Sequence, residues 1–344
     1  MTRQPAPGQV AAVEGAIDHD PASFEREVMA AGQPVVMRGL CAHWPAVAAA
    51  NRSPEALRGE LARHATARQG QAFKGRRDIG GRYFYKGEAL DGFNFERVNL
   101  TVLEAFDEIL ASASDPARDT FYMGSLAADI FLPGFARDHT VPMLAPRVVP
   151  RLWIGNASNV SCHYDSTDNI ACVVAGRRRF TLYPPDTIGD LYVGPIDNTM
   201  AGQPVSMAAA AQPGDPRFPR FAAAQKRALT VDLAPGDALY LPKLWWHQVE
   251  ATGPFNALVN YWWDGFASGP DNPQIAMMLA MIAIADRPPA ERAAWRAYFD
   301  HYVFRLDGHP LAHLPASQHG MLGPLAGGLY GRIRAMLMQM LRGG

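Results

Sequence analysis

Between Val148 and Trp262 the sequence breaks into short β-forming runs, and that rhythm constrains the fold more than any other feature. Arg151–Ile154, Ile170–Val174, Arg179–Tyr183, Ala238–Leu241, Trp245–Glu250 and Asn256–Trp262 are each bounded by Gly, Pro, Asn or Asp. Many short strands separated by turn signals argue for a sandwich or barrel. One connection is long. Residues 194–228 are rich in Pro, Gly and Ala, and a stretch of that length in a compact domain reads as a lid, a binding loop or disorder.

The flanks have a different character. The first dozen residues, rich in Pro, Gly and Ala, read as frayed. Asp20-Pro21 supplies an N-cap followed by proline at the first helical position, and Gly32 is a left-handed stop. A strand is expected at Val35–Arg38. Ser53-Pro54 repeats the cap signal for a helix to about His64, and residues 67–98 mix aromatics with Gly80-Gly81 and read as hairpin strands. Thr101 and Glu104 form a capping box for a helix to about Ala111, and Phe121–Met123 reads as a strand. After Gly269, Pro273–Asp286, Pro289–Phe304 and Leu322–Leu341 carry apolar residues at helical spacing. The predicted division is a flexible N-terminus over 1–15, a main β-rich domain with N-terminal α/β elements over 16–268, and a helical region over 269–344.

Of 344 residues, 48% are hydrophobic and 19% charged, with a net charge of −1. That balance argues against a nucleic-acid partner. Cys41, Cys162 and Cys172 have neither disulfide-framework nor metal-ligand spacing, so a reducing compartment, the cytoplasm, is expected. The N-terminus lacks a signal-peptide core, and the apolar run Ile275–Ala285 is too short to span a bilayer, so no membrane association is expected.

The β region contains a candidate site. In N-V-S-C-H-Y-D, His163 and Asp165 stand two residues apart, and extended chain places such residues on one face. His247 follows far downstream in L-P-K-L-W-W-H. Two histidines and a carboxylate with open positions make the facial triad of non-haem Fe(II) oxygenases. An H-x-D in isolation occurs often by chance, however, and a lone buried histidine is more often hydrogen-bonded structure than a ligand. If His247 points inward, Trp245 and Val249 do too, while Gln248 and Glu250 point outward.

Arg178 adds a second constraint. After the Gly176-Arg177 turn, Arg178, Phe180 and Leu182 share one face of a strand, and Arg179, Thr181 and Tyr183 the other. An inward cation is costly unless paired, and no acidic residue is evident nearby except the metal carboxylate. A dicarboxylate ligand would satisfy it through a bidentate fork. The competing reading is an exposed strand on which Arg177, Arg178 and Arg179 form one solvated basic cluster.

The run from Asn159 to Pro185, with G-D-A-L-Y-L-P-K-L-W-W-H and L-V-N-Y-W-W further on, resembles the JmjC and cupin-like family of Fe(II)- and 2-oxoglutarate-dependent oxygenases. The likeness is greatest to the type that hydroxylates asparagine in hypoxia-inducible factor. P-V-V-M-R-G-L and the W-P-A at Trp44 are similar to the N-terminal segment of this group, so the resemblance spans roughly residues 34–264. It implies a mainly β fold with added helices, built on a double-stranded β-helix of jelly-roll, cupin-like form. It implies that His163, Asp165 and His247 hold Fe(II) as the catalytic centre. Arg178, Tyr122, Asn169 and Asn260 would contact 2-oxoglutarate or iron-bound water, and Ser161 would add a hydroxyl. The segment before His163 is one residue shorter than in that hydroxylase, which loosens the Ser161 match, and lysine stands there where this chain has Arg178, which implies a different co-substrate pose. The C-terminal helices resemble the dimerisation helices of the group and imply a homodimer.

The activity implied is hydroxylation of a C–H bond, of a protein or peptide side chain, with release of succinate and carbon dioxide. Alternatives are an oxygenase for a small molecule or modified nucleoside, demethylation through hydroxylation of an N-methyl group, and a non-oxidative metal-binding cupin or binding protein. Those last cupins usually carry H-x-H with a following glutamate, where this chain has H-x-D. Tyr83, Phe84, Tyr85, Trp246, Trp262 and Trp263, with residues 194–228, are candidates for a substrate groove or for ordinary wall and core.

Overall fold

The computed structural model describes residues 8–13, 20–87, 90–115, 117–265 and 271–343. The chain divides into two compact units, Met1–Gly265 and Phe266–Gly344. In the first, the strands are β1 (Ala11–Val13), β2 (Val35–Met37), β3 (Gly70–Gly75), β4 (Arg82–Tyr83), β5 (Phe95–Leu100), β6 (Thr120–Ala127) and β7 (Pro150–Gly155). They continue as β8 (Ser158–His163), β9 (Asp168–Ala175), β10 (Arg178–Tyr183), β11 (Leu229–Leu233), β12 (Ala238–Leu241), β13 (Trp246–Ala251) and β14 (Asn256–Trp263). One sheet runs β1-β2-β12-β9-β14-β7-β6-β3-β5 and the other β11-β10-β13-β8-β4.

The two sheets close on a shared apolar layer. Ala171, Val173, Leu239 and Leu258 come from the larger sheet, and Phe180, Leu182, Leu233 and Val249 from the smaller. The fold is thus mainly β, a jelly-roll core with helices added. Strand β10 shows the period-two logic directly: Arg178, Phe180 and Leu182 are each 3% exposed or less, whereas Arg179 is exposed. Strand β9 is buried along its whole length, because Ile170, Cys172 and Val174 pack outward under helices while Ala171 and Val173 pack inward. Gly176 joins β9 to β10 at φ +73°, and a Cβ there would meet Asn256 Oδ1 at 2.1 Å. Only glycine fits that turn, and the turn sets the phase of Arg178.

Helices Pro45–Ala50, Pro54–Ala62 and Val102–Ser114 cover the outer face of the larger sheet. They bury Val47, Leu57, Leu61, Phe106 and Ile109, each worth roughly 1.5–3 kcal/mol relative to exposure. Ser53 caps the second by accepting from Ala56 N, and both halves of the Thr101–Glu104 capping box form. The Pro45–Ala50 helix is absent from the sequence reading, although Pro45 sits at its first turn. Trp44 anchors it, fully buried, with Nε1 donating to Thr140 O at 3.1 Å.

Several expectations need correction. Ala11–Val13, within the segment read as frayed, pairs in parallel with Val35–Met37. The helix from Pro21 changes to a π turn over Glu25–Met29. In the 67–98 region β3 and β5 do pair, but Arg82–Tyr83 crosses to the other sheet beside Asn159 and Val160. Residues 194–228 are not one irregular loop, since Met207–Ala210 and Phe221–Lys226 are helical. The Ala and apolar content there reflects packing on the outer face of the smaller sheet, where Ala224 and Phe221 join Cys162, Tyr183 and Trp246.

The second unit contains helices Pro273–Ile284, Pro289–Phe299 running into a π turn at Asp300–Phe304, and Leu329–Arg342. The last starts at Leu329, not Leu322; Gly323 and Pro324 interrupt the periodic pattern after a 3₁₀ turn at Gly320–Leu322. Asp271 ties the ends of the unit together, accepting from Tyr330 OH and from Arg334 Nε at 3.0 Å. No helix among the described residues is long and apolar enough to cross a membrane.

Candidate active site

Strand pairing brings the two histidines together. The β8–β13 register places His163 opposite His247, with an irregularity between His247 and Val249. The ring centroids are 4.3 Å apart at 51°. His163 Nδ1 lies 2.8 Å from Ser161 O, and His247 Nδ1 lies 3.0 Å from Trp245 O. A carbonyl can only accept, so each Nδ1 carries the proton and each Nε2 keeps a lone pair. Burial, then the neighbouring His163, push the His247 pKa down to about 4 against the opposing pull of Asp165. The ring is therefore neutral near pH 7, as a metal ligand must be.

Asp165 lies just beyond the end of β8. Its Oδ2 is 3.7 Å from His247 Nε2. Its backbone oxygen accepts from Leu244 N at 2.8 Å, which clamps the Asp165 segment to the one leading into His247. Ligand-type atoms of His163, Asp165 and His247 all fall within 4.8 Å of one another. Two imidazole nitrogens and one carboxylate oxygen form a donor set suited to Fe(II).

Arg178 lines the same cavity as these three residues. It is 3% exposed, and its Nε has no hydrogen-bond partner among the described residues. Burial lowers its pKa, with Tyr122 pulling the other way. A buried guanidinium left with an unmade hydrogen bond fits a carboxylate ligand. Tyr122, on β6, also lines the cavity; burial, offset by Arg178, pushes its hydroxyl up to about 12, so it stays protonated.

The remaining predicted residues also border the cavity, with their polar atoms partly engaged. Asn260 donates through Nδ2 to Asn169 Oδ1 at 3.2 Å and accepts from Trp153 Nε1 at 2.7 Å. It therefore braces Asn169. Ser161 donates its hydroxyl proton to Tyr83 O at 3.2 Å, which leaves the oxygen as an acceptor.

Among the groove candidates, Tyr83 and Trp262 line the cavity. Phe84 and Tyr85 pack against Met200 and Val205 of the 194–228 segment. Trp246 and Trp263 belong to packed clusters. Trp245 and Val249 are buried as expected, and Gln248 and Glu250 are half-buried, contacting Asn159. The 194–228 segment forms a wall, since Val205 bridges to His163 and Ser206 N donates to Cys162 O.

Sequence reasoning missed Asp168. It is 2% exposed, accepts from Tyr240 OH at 3.1 Å, and has Lys243 Nζ at 3.6 Å. It thereby anchors the 240–243 segment that delivers His247. The signal was the polar run S-T-D-N directly after the H-x-D.

The model of the cupin-like domain matches residues 21–269. The chain belongs to the cupin-like domain family. This cupin-like domain is of the JmjC type, whose members are 2-oxoglutarate-dependent oxygenases that generally use Fe(II), some of them demethylases. HSPB1-associated protein 1 of Homo sapiens is 36% identical over 115 residues, covering 32% of this chain and 22% of that protein. Lysine-specific demethylase JMJ31 of Arabidopsis thaliana is 33% identical over 112 residues, covering 32% and 20%. Jumonji C domain-containing protein 5 of Drosophila melanogaster is 29% identical over 254 residues, covering 70% of this cupin-like chain and 57% of the relative. The chain thus spans only about a fifth of the length of the first two.

Proposed function

We propose that the chain is an Fe(II)- and 2-oxoglutarate-dependent oxygenase that hydroxylates a C–H bond of a protein or peptide side chain, releasing succinate and carbon dioxide. The observation that carries this reading is one cavity holding both a His-His-Asp donor set and a buried arginine whose Nε has no partner among the described residues.

In this reading His163, Asp165 and His247 hold the iron, each imidazole through Nε2. Arg178 receives the far carboxylate of 2-oxoglutarate, and Tyr122 and Asn169 offer a hydroxyl and an amide to it. Asn260 keeps Asn169 in place, and Ser161 contributes an acceptor oxygen. When bound, the metal and its co-substrate supply the oxidising chemistry that consumes molecular oxygen. Phe180, Val249 and Leu258 line the same space and keep water from it. The lysine-specific demethylase among the relatives favours a polypeptide side chain as the substrate.

We also infer a homodimer formed through the second unit, whose helices expose Ile275, Ile282, Val303 and Phe304.

The reading is tested with Fe(II)-loaded protein, 2-oxoglutarate and a panel of peptides and metabolites, with succinate measured. Succinate formation that needs both iron and 2-oxoglutarate is expected. Its absence with every candidate, and without any, would overturn the proposal.

A further inference from the structure

We propose that Arg151, Arg147 and Trp262 form a carboxylate-binding subsite at the mouth of the cavity, which selects polypeptides carrying an acidic side chain near the oxidised residue. The role given to this subsite rests on the oxygenase reading above.

Arg151 is not an ordinary surface arginine. On β7, Leu152 and Ile154 pack outward into the helix-covered core, while Trp153 lines the cavity. Arg151 shares the inner face with Trp153 by the period of two, and it pairs across from Asn260. Its Nη1 donates to Ser125 O at 2.9 Å and to Ser125 Oγ at 3.0 Å. Its Cζ lies 5.5 Å from the centre of the Trp262 ring. The guanidinium is therefore held in one pose, with Nε and Nη2 still available to donate.

Trp262 borders two spaces. It lines the cavity that contains the His-His-Asp set, and it also lines a shallow groove with Arg147, Val149, Arg151 and Thr167. Thr167 stands two residues after Asp165, so the segment carrying the metal-type carboxylate forms the wall between cavity and groove. Two guanidinium groups border the groove, and no acidic residue does among the described residues. Arg147 is exposed and has no hydrogen bond or ion pair among the described residues. Trp262 Nε1 is buried with no acceptor among them. Two guanidinium groups facing one groove call for an anion with two acceptor oxygens, and a carboxylate supplies them. A groove open to solvent beside the cavity suits a chain that continues past the reacting residue.

The test uses fluorescein-labelled dodecapeptide pools with fixed glutamates, and matched glutamine pools, titrated by anisotropy into protein loaded with Mn(II) and 2-oxoglutarate. A charge-assisted contact predicts roughly tenfold tighter binding of the glutamate pool. That ratio should fall towards one in Arg151→Gln and in Arg147→Gln; the exposed position of Arg147 keeps folding out of the second comparison. Equal binding of both pools by the wild type, or an unchanged ratio in both variants, overturns the subsite. N-acetylglutamate is titrated as a competitor, and binding as tight as that of the peptide pool overturns the polypeptide source. Fe(II)-loaded wild type is assayed in parallel for succinate. Absence of succinate with every peptide and metabolite, and without any, overturns the oxygenase reading and leaves the glutamate-to-glutamine ratio to decide the subsite.

Discussion

His247 faces His163 across the β8–β13 pair, and each ring is held through Nδ1 by the carbonyl two residues before it, Trp245 O and Ser161 O. Ser161 lies on β8 and Trp245 immediately precedes β13. Each ring is therefore aimed by backbone adjacent to its own place in the sheet.

Removing one ring should destroy the donor set and spare the fold. His163→Ala is expected to lower Fe(II) or Mn(II) affinity by well over the roughly 10–100-fold cost of losing a group that only orients a ligand. Succinate formation should fall to background while thermal melting stays cooperative. The check is metal titration by calorimetry alongside a succinate assay; unchanged 2-oxoglutarate consumption in the variant would sink the ligand assignment.

Arg178→Met should separate co-substrate binding from metal binding. A charge-assisted contact of about 1.5–3 kcal/mol corresponds to a roughly ten- to hundredfold loss of 2-oxoglutarate affinity. Mn(II) affinity should be retained. The buried, unpartnered Nε costs the ligand-free protein stability, so the variant alone should melt no lower than the wild type. It should also lose the rise in melting temperature that 2-oxoglutarate gives. Equal 2-oxoglutarate affinity in the two proteins would count against a carboxylate at Arg178.

The legibility of the chain followed the range of the interaction. Period-two alternation along R-R-F-T-L-Y was enough to turn Arg178 inward, because the apolar partners Phe180 and Leu182 lie on the same strand. Caps such as Ser53 and the Thr101–Glu104 pair were equally readable, since donor and acceptor lie within one helical turn. What escaped was set by distant segments. Asp168 matters because Tyr240 and Lys243 reach it from more than 70 residues away, and Arg82–Tyr83 joins the sheet opposite its hairpin neighbours because Asn159 and Val160 are there to pair with it. The 194–228 segment was read as a loop because its helices are short and its packing surface belongs to another part of the chain.

Asp168→Ala should weaken both the fold and the site. It removes the acceptor of the buried Tyr240 hydroxyl and a carboxylate beside Lys243. Leaving a buried hydroxyl without its partner costs about 1–3 kcal/mol. Urea denaturation should show a lower midpoint with an unchanged slope. Metal affinity should fall as well, because the 240–243 segment leads directly to Trp245 and His247. A stability loss with wild-type metal affinity would show that Asp168 serves the fold alone.

The second unit makes the last prediction. Ile275, Met278, Leu279 and Ile282 fall on one stripe of the Pro273–Ile284 helix and are 63%, 49%, 42% and 84% exposed. The Leu329–Arg342 helix adds Leu337, Met340 and Leu341, also exposed. Apolar side chains gathered this way mark an association surface, and a symmetric dimer is the commonest way to cover one. Light scattering after size exclusion should give twice the chain mass of 37.5 kDa. Ile282→Arg places a charge at the most exposed position of the stripe and should shift the mass towards that of one chain. Because Ile282 makes little contact within its own chain, the far-ultraviolet circular dichroism of the variant should be unchanged. A wild-type protein that runs as a single chain at tens of micromolar would overturn the dimer.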